Sequence, residues 1–384
     1  TFFSSFGQSF FLGLFNAPIR NELEISHGQF GTIYATATIC SSLLLIWVGK
    51  KIDEYKLMNY SFVVIILLSI SSFIFSIISN IYLLTLAVFL MRFSGQGLMS
   101  HTSTTAISRF FEKTRGKALS TIWFGLSTAE FILPVLVTYL FVIYSWRTVW
   151  QGISILIIVL LPLIILYTIK SINLKSREEN INLQKFKIKN WKRKEVIKDY
   201  RFYIVSLNML AMPWIVTGIF VYQSFIAETK MWSTYAIPKA FMTYSITSII
   251  TLFSSGFLVD KFTSRKLIPL MNIPLLIAMF VIIIFSGELS VYFFLGLIGI
   301  SNGFANVLGS STWAEIYGVK YIGSIKALTT GLMVFSTAFG TALFGILIDN
   351  GLTIENIAYI SGTYIVICLF LLIYIRKTLE PIKL

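Results

Sequence analysis

Long apolar segments alternate with short polar connections along the whole chain. Twelve such segments lie at residues 1–20, 28–49, 57–79, 81–107, 117–144, 148–169, 202–226, 236–259, 267–286, 289–312, 325–349 and 355–375. A helix needs about 20 mostly apolar residues to cross the hydrocarbon layer, and a helix satisfies its own backbone polar groups there. The pattern therefore predicts an all-α membrane protein with twelve transmembrane helices.

A polar and strongly basic stretch divides the first six predicted helices from the last six. We expect an N-terminal six-helix bundle over residues 1–169, a cytoplasmic linker with a surface helix over 170–201, and a C-terminal six-helix bundle with a short cytoplasmic tail over 202–384. The linker is interpreted mainly as solvated, and contact with anionic lipid headgroups is the alternative. Because the chain begins inside an apolar stretch at Thr1, we expect a short segment to precede it.

Composition and charge agree with a membrane protein. Charged residues make up 12% of the chain, whereas a soluble domain carries roughly 25%. The net charge is +14, and 26 of the 31 lysines and arginines lie in every second connection, starting after the second predicted helix. Cytoplasmic connections are enriched in these residues, so both termini and the linker are predicted to be cytoplasmic, in the plasma or inner membrane. Since topology accounts for the charge, nucleic-acid binding is not expected.

The second half of the chain repeats features of the first half. Gly49 and Asp53, after the second predicted helix, lie 207 residues before Gly256 and Asp260, after the eighth. A glycine in the connection after the fourth helix recurs after the tenth with the same spacing. Two pseudo-symmetric bundles in the same orientation, with substrate bound near mid-membrane, are one architecture of secondary transporters.

These motifs resemble those of a known transporter family. Gly-x-x-x-Asp followed by basic residues, repeated in the second half, resembles the signature of the major facilitator superfamily, and Arg92 followed by "GQG" resembles its helix-4 motif. The stretch "RFFEKTRGKALSTIWFGLS" is similar to the start of helix 5 in the monocarboxylate and oxalate/formate branch. The resemblance spans the chain. It implies a twelve-helix secondary transporter that works by alternating access, with helices 1, 4, 7 and 10 lining the path.

Two ionisable residues lie deep in predicted helices. Arg92 is in the fourth predicted helix and Glu130 in the fifth, and an arginine at mid-bilayer costs on the order of 3 kcal/mol. A permanent ion pair is one interpretation. We favour another, in which Arg92 attracts a small organic anion and Glu130 takes up a proton, so that transport is coupled to protons or occurs by exchange. In a third interpretation, Arg92 and Glu130 have roles that are unrelated to each other.

Other polar residues at mid-depth are candidates for substrate binding or proton coupling. His101 is a second candidate proton carrier, although its position near the cytoplasmic end also fits a structural role. Each of the others could instead form an interhelical hydrogen bond. The substrate-binding candidates besides Arg92 are Gln8, Asn16, Tyr34, Gln96, Trp214, Tyr222, Gln223, Asn302 and Asn306.

The loop spacing that recurs in both halves predicts a gate on the cytoplasmic side. A carboxylate at a helix end can pair with a basic residue or with the positive N-terminus of a neighbouring helix, and such a pair must break when the halves move. A simple topological charge at a helix end is the alternative. The gating candidates are Gly49, Asp53, Arg115, Lys117, Gly256 and Asp260.

Other functions receive less support. Export of an amphiphilic or neutral compound is the alternative within the transporter class. A membrane-embedded enzyme would need an Asp-rich motif for metal-bound diphosphate, and a selective channel would need filter loops; the sequence has neither. We therefore predict a transporter and not an enzyme, without a cofactor or metal, monomeric, with a small organic anion, protons and the lipid bilayer as partners.

Overall fold

The computed structural model describes residues 1–110, 115–171, 189–318 and 321–381. Within these ranges it does not describe the side chains of residues 50, 53, 107–110, 115–120, 168–171, 260, 310, 323–324 and 327. The described part of the chain is helical and contains no strand. This result confirms the predicted all-α membrane class.

Eleven helices in the described ranges are long and apolar enough to cross a membrane. We number the spans from α1, the interrupted first segment, to α12. The uninterrupted helices are α2, His27–Val48; α3, Leu57–Ser76; α5, Arg115–Ile143; α6, Trp146–Ser171; α7, Tyr200–Val221; α8, Ala236–Phe262; α9, Ser264–Ile284; α10, Ser290–Tyr317; α11, Ile322–Asp349; and α12, Ile354–Tyr374.

The first segment, α1, is helical but not continuous. It consists of a 3-10 helix at Phe2–Gly7, an α-helix at Ser9–Leu12, a 3-10 turn at Gly13–Phe15 and an α-helix at Asn16–Leu23. Between the first two pieces, Gln8 has extended backbone angles, φ −85° and ψ 153°. Apolar content predicts where a segment lies in a membrane but not whether its hydrogen-bond ladder continues, and this explains the difference from the expected single helix.

The fourth span, α4, changes its winding at Arg92. It is an α-helix at Ile81–Met91, a π-helix at Arg92–Met99 and an α-helix at Ser100–Phe110. π-helical turns are rare and occur frequently at functional sites. The π-helix packs on the break in α1 so closely that a Cβ atom at Gly95 would lie 2.7 Å from the backbone nitrogen of Gly7.

The contacts divide the chain into two compact units. Unit 1 contains Thr1–Asn180 together with Phe220–Phe225 and Thr341–Asp349, and unit 2 contains Ile181–Ile219, Ile226–Gly340 and Asn350–Leu384. The end of α7 and the end of α11 thus cluster with the first six spans. The two-bundle boundaries read from the sequence remain a prediction.

Each unit has its own buried core. In unit 1, the Trp150 ring packs on Phe75, Phe15 and Phe11, with centroids 4.5, 4.9 and 5.5 Å apart. In unit 2, a core cluster surrounds Trp313 and Tyr317 near the end of α10. Aromatic pairs in these arrangements add stability beyond their buried area.

Replacement of Gly95 tests the close packing of α1 on α4. Overpacking costs typically 1–3 kcal/mol, so we expect Gly95→Ala to lower the temperature at which the purified protein unfolds in detergent. The control is Gly152→Ala, because a Cβ atom there meets no heavy atom within 4 Å and alanine favours helix. Equal unfolding temperatures for the two variants would contradict the close approach.

Candidate functional site

The Arg92 side chain lies inside unit 1, against the break in α1. Only 2% of the residue is exposed. Its Nη1 donates to the carbonyl oxygen of Gly7 at 3.1 Å and to Oγ of Ser9 at 3.4 Å. Because the amides of the next turn bond to the Gln8 carbonyl instead, the Gly7 carbonyl is available to the guanidinium. The Tyr34 ring centroid lies 5.3 Å from Cζ of Arg92, a distance at which a cation and a ring attract each other.

Several buried polar atoms of α1, α2 and α4 have no hydrogen-bond partner among the described residues. They are Nε of Arg92, the hydroxyls of Tyr34 and Thr38, and Oγ of Ser5. Tyr34 and Thr38 lie one turn apart on α2, and Ser5 is in the α1 piece that ends at Gly7. Buried polar atoms are normally hydrogen-bonded, so these unpartnered donors are available to a ligand, although other unpartnered buried atoms occur elsewhere in the described residues. A guanidinium with hydroxyls is a donor set that suits an anionic oxygen.

Glu130 is also buried in unit 1 but does not meet Arg92. The residue is 6% exposed, and no ion pair joins it to any residue whose side chain is described. The structure therefore does not form the permanent ion pair that the sequence left open. Equal depth in neighbouring helices does not fix the direction of side chains, and here Arg92 is turned towards α1.

Three polar candidates near α1 have different surroundings. Gln8 is half-buried at the break, and Gln96 is half-buried in the π-helix, where its backbone nitrogen packs on Gly7. Asn16 is 2% exposed; its Nδ2 donates to the Val221 carbonyl at 2.6 Å and its Oδ1 accepts from Arg20 at 2.8 Å. Asn16 is thus used in holding the end of α7.

Tyr222 and Gln223 bind backbone groups of the first spans. The Tyr222 hydroxyl lies 2.8 Å from the His27 carbonyl oxygen and 3.0 Å from that of Thr341. Nε2 of Gln223 donates to the Phe10 carbonyl at 2.9 Å, while its buried Oε1 has no partner. Both side chains therefore join segments of unit 1 through hydrogen bonds to backbone carbonyls.

Asp349, at the end of α11, binds the start of α2. Its carboxylate accepts from Oγ of Ser26 at 2.5 Å, from the His27 amide at 2.9 Å and from the Gly28 amide at 2.8 Å. The first amides of a helix lack intrahelical partners and carry partial positive charge, so a carboxylate is stabilised there.

Glycines allow α2 and α11 to pack closely beneath this carboxylate. A Cβ atom at Gly31 would collide with the Tyr222 hydroxyl and the Thr341 carbonyl, and one at Gly345 would collide with the same hydroxyl. We call this arrangement the α2–α11 junction. It comprises Ser26, His27, Gly28, Gly31, Tyr222, Thr341, Gly345 and Asp349.

The candidates in unit 2 are less concentrated. The Trp214 ring packs on Tyr364 with centroids 5.4 Å apart. Asn302 donates from Nδ2 to Oγ of Ser248 at 2.9 Å, so it holds α10 against α8. Asn306, one turn further, is exposed. Asn302 is therefore already hydrogen-bonded, and a binding face shared with Asn306 stays a prediction.

The predicted gate is only partly described. His101 Nε2 lies 3.1 Å from the Gly49 carbonyl oxygen, so a proposed proton carrier and a proposed gating residue meet. A Cβ atom at Gly256 would meet open space. The side chains of Asp53, Arg115, Lys117 and Asp260 lie outside the described residues. In the first of these connections Lys51 pairs with Glu54 at 2.7 Å, and this hydrogen bond raises the pKa of Lys51.

A family comparison identifies the kind of protein. The family model described as Major Facilitator Superfamily matches residues 1–328. The chain belongs to the major facilitator superfamily. It is therefore a multi-pass membrane protein and a secondary transporter, not an enzyme. No curated protein matches this sequence. The narrower monocarboxylate and oxalate/formate assignment remains a proposal.

Solved transporter structures share the fold of this major facilitator protein. A bacterial homolog of the human lysosomal transporter Spinster, in an inward-facing and unoccupied conformation, has a TM-score of 0.73 at 14% identity over 98% of this chain and 95% of that chain. The nucleoside transporter NupG has a TM-score of 0.67 at 14% identity over 98% of this chain and 97% of that chain. At such identities the likeness concerns the fold alone.

The sequence of this superfamily member gave little warning of the α2–α11 junction. Ser26 and Gln29 form a capping box at the start of α2, and "SHGQ" is the sequence signature of such a box. Asp349 lies at the end of a predicted span, and nothing in a single sequence pairs it with Ser26. Ser5 and Ser9 were also missed, since serines are frequent in these spans. Within the described residues, no group of three or more His, Cys, Asp or Glu residues could hold a metal ion.

Proposed function

We propose that this transporter moves a small organic anion, of the monocarboxylate kind, together with protons or in exchange, by alternating access across the plasma or inner membrane. The observation that carries the proposal is the buried Arg92 guanidinium, which has no acidic partner among the described side chains and an unpartnered Nε. In this proposal both termini are cytoplasmic, as the distribution of lysine and arginine predicts.

An anionic substrate would compensate the charge of Arg92. A buried cation without a counterion is strongly unfavourable, and a charge inside a membrane span usually faces a bundle interior or a wet cavity. The Gly7 carbonyl and the Tyr34 ring provide partial compensation. A carboxylate at Nε could also accept from the unused hydroxyl of Tyr34, whose ring lies beside the guanidinium, and this favours a small oxygen anion as the ligand.

Glu130 is the proposed proton carrier. It is buried in unit 1 without an ion partner among the described side chains, and a carboxyl group in such surroundings can hold a proton and release it when water reaches the site. His101 is the second candidate, but its Nε2 already lies on the Gly49 carbonyl. Proton and anion would thus act at two separate positions of the same unit.

Under alternating access, we propose that the α2–α11 junction is the gate on the predicted outer side of the membrane. There, three hydrogen bonds to one carboxylate join the end of α11 to the start of α2, and water can replace each of them when the helices separate. The gating residues proposed for the cytoplasmic side are Gly49, Asp53, Arg115, Lys117, Gly256 and Asp260. The two gates would open in turn.

Substitution of Arg92 tests the anion site. Uptake of labelled acetate, lactate, oxalate and neutral uridine is measured in proteoliposomes with a pH gradient. Loss of hydrogen bonds to a charged group costs about 1.5–3 kcal/mol, so we expect Arg92→Gln to reduce uptake of at least one carboxylate about 10- to 100-fold, with Arg92→Lys in between. The control is Arg376→Gln, at an exposed arginine. Transport of uridine alone, or equal carboxylate uptake by folded Arg92→Gln and control, would contradict the proposal.

Substitution of Glu130 tests proton coupling. We expect Glu130→Gln to abolish the part of carboxylate uptake that depends on the pH gradient, because the amide cannot carry a proton, while exchange of labelled for unlabelled substrate continues. Glu228→Gln, at an exposed glutamate, is the matched control and should keep the gradient response. Full gradient-driven uptake by Glu130→Gln would exclude Glu130 as the carrier.

A covalent lock tests alternating access. In a background of Cys40→Ser and Cys368→Ala, cysteines replace Ser26 and Asp349, whose side chains touch at 2.5 Å. We expect linkage by a short bifunctional thiol-reactive cross-linker, such as a bis-methanethiosulfonate, to stop transport, because the junction can no longer open. The control pair replaces Ser233 and Glu288, which touch at 2.9 Å within unit 2, and should transport when linked. Continued transport by fully linked Ser26→Cys, Asp349→Cys protein would contradict the gate.

A further inference from the structure

A short basic segment precedes the first span of the second half of the sequence. It contains the helix Arg193–Val196 and its flanking residues. Four of its cations are exposed, and three exposed apolar or aromatic residues, Ile197, Tyr200 and Tyr203, follow along the chain. We call residues 192–198 the basic segment. Its exposed cations are Lys192, Arg193, Lys194 and Lys198.

The basic segment is fixed to the core of unit 2. The Trp191 amide donates to the Tyr317 carbonyl at 3.0 Å. Val196 is fully buried in the cluster that contains Phe202, Trp313 and Tyr317. The sequence predicts a solvated linker that ends in a surface helix. The structure attaches this end to unit 2 through one valine and one tryptophan, which are too few to produce an apolar pattern in the sequence.

A buried ion pair holds the junction between the basic segment and α7. Arg201 pairs with Asp199 at 2.7 Å, and both side chains are less than a tenth exposed. Nη1 of Arg201 donates to the Thr378 carbonyl at 2.9 Å, and the Tyr317 hydroxyl donates to Asp199. Breaking such a pair would leave an uncompensated buried charge, so the segment keeps one position relative to the span.

The basic segment lies directly before a membrane span. α7 begins at Tyr200 and is long enough to cross the membrane, so the exposed cations lie within eight residues of the start of the span along the chain. Tyr200 and Tyr203 are 56% and 50% exposed at that start. Exposed tyrosines at the ends of spans are typical of the membrane–water interface.

We propose that the basic segment is a binding surface for anionic phospholipid headgroups. Four exposed cations within seven residues face the surroundings, and clusters of this kind beside a span are attracted to anionic lipid. The one acid of the segment, Glu195, is already used: it accepts from the Lys192 amide at 2.7 Å and pairs with Lys189 at 3.1 Å. These contacts lower the pKa of Glu195. Its carboxylate therefore stays ionised and bound to these partners, and it does not act as a proton switch.

Rigidity distinguishes this surface from an ordinary topological charge. A flexible basic loop suffices to orient a membrane protein. Here a tryptophan, a buried valine and a buried ion pair fix the cations beside exposed tyrosines. A fixed array can hold a phosphate headgroup while the acyl chains lie against Ile197 and Tyr203.

The test measures lipid retained by the purified full chain in detergent. Native mass spectrometry counts bound phosphatidylglycerol and phosphatidylcholine of identical acyl chains. The test variant carries Lys192→Gln, Arg193→Gln, Lys194→Gln and Lys198→Gln. We expect at least fivefold less bound phosphatidylglycerol than in the unchanged protein, with phosphatidylcholine unaffected. The unfolding temperature should stay the same, because Asp199 and Arg201 are untouched.

Two controls make the outcome decisive. A variant with the same charge change at other exposed cations, Lys56→Gln, Lys266→Gln, Arg376→Gln and Lys377→Gln, should keep its phosphatidylglycerol. A variant that exchanges lysine and arginine within the basic segment should also keep it. Equal loss in both glutamine variants, or displacement of the lipid by millimolar inorganic phosphate, would overturn the proposal.

Discussion

The hydrogen bond from the buried Arg92 guanidinium to the Gly7 carbonyl is the interaction on which the interior of unit 1 depends. In a membrane every backbone polar group needs a partner inside the protein, and the break in α1 leaves a carbonyl outside the helical ladder. Arg92 supplies the donor, and the break gives the guanidinium an acceptor. The two irregular segments, the break and the π-helix, are compatible only because glycines let their backbones approach closely.

The same need for backbone partners explains most polar side chains in the spans. Asp349 binds amides at the start of α2, Asn16 binds a carbonyl at the end of α7, and Gln223 binds a carbonyl of α1. Each of these side chains could have been a substrate ligand by its depth alone. Backbone groups bind these three side chains, whereas Nε of Arg92 and the hydroxyl of Tyr34, whose ring centroid lies 5.3 Å from Cζ of Arg92, have no partner among the described residues. This difference favours the surroundings of Arg92 as the candidate site.

Charge in this protein has three physically different uses. Exposed cations in alternate connections orient the chain in the membrane. Buried ion pairs such as Asp199–Arg201 fix one segment on another. The third use is a buried charge without a counterion among the described side chains, at Arg92; under the proposed function, a bound anion would remove the electrostatic cost of this charge. Only the surroundings of each residue distinguish these uses, since the residue types are the same.

The sequence by itself determined the fold class, the positions of eleven spans, the superfamily and the burial of Arg92 and Glu130, because hydropathy and charge act locally along the chain. The membrane depth of each candidate residue stays a prediction from the sequence. Only the tertiary structure decided which neighbour each side chain meets, as in the contact between Ser26 and Asp349, which are 323 residues apart. Helical periodicity gives the height of a residue in the membrane, but the rotation of a helix, and a local change of winding such as that of α4, follow from packing against elements distant in the sequence.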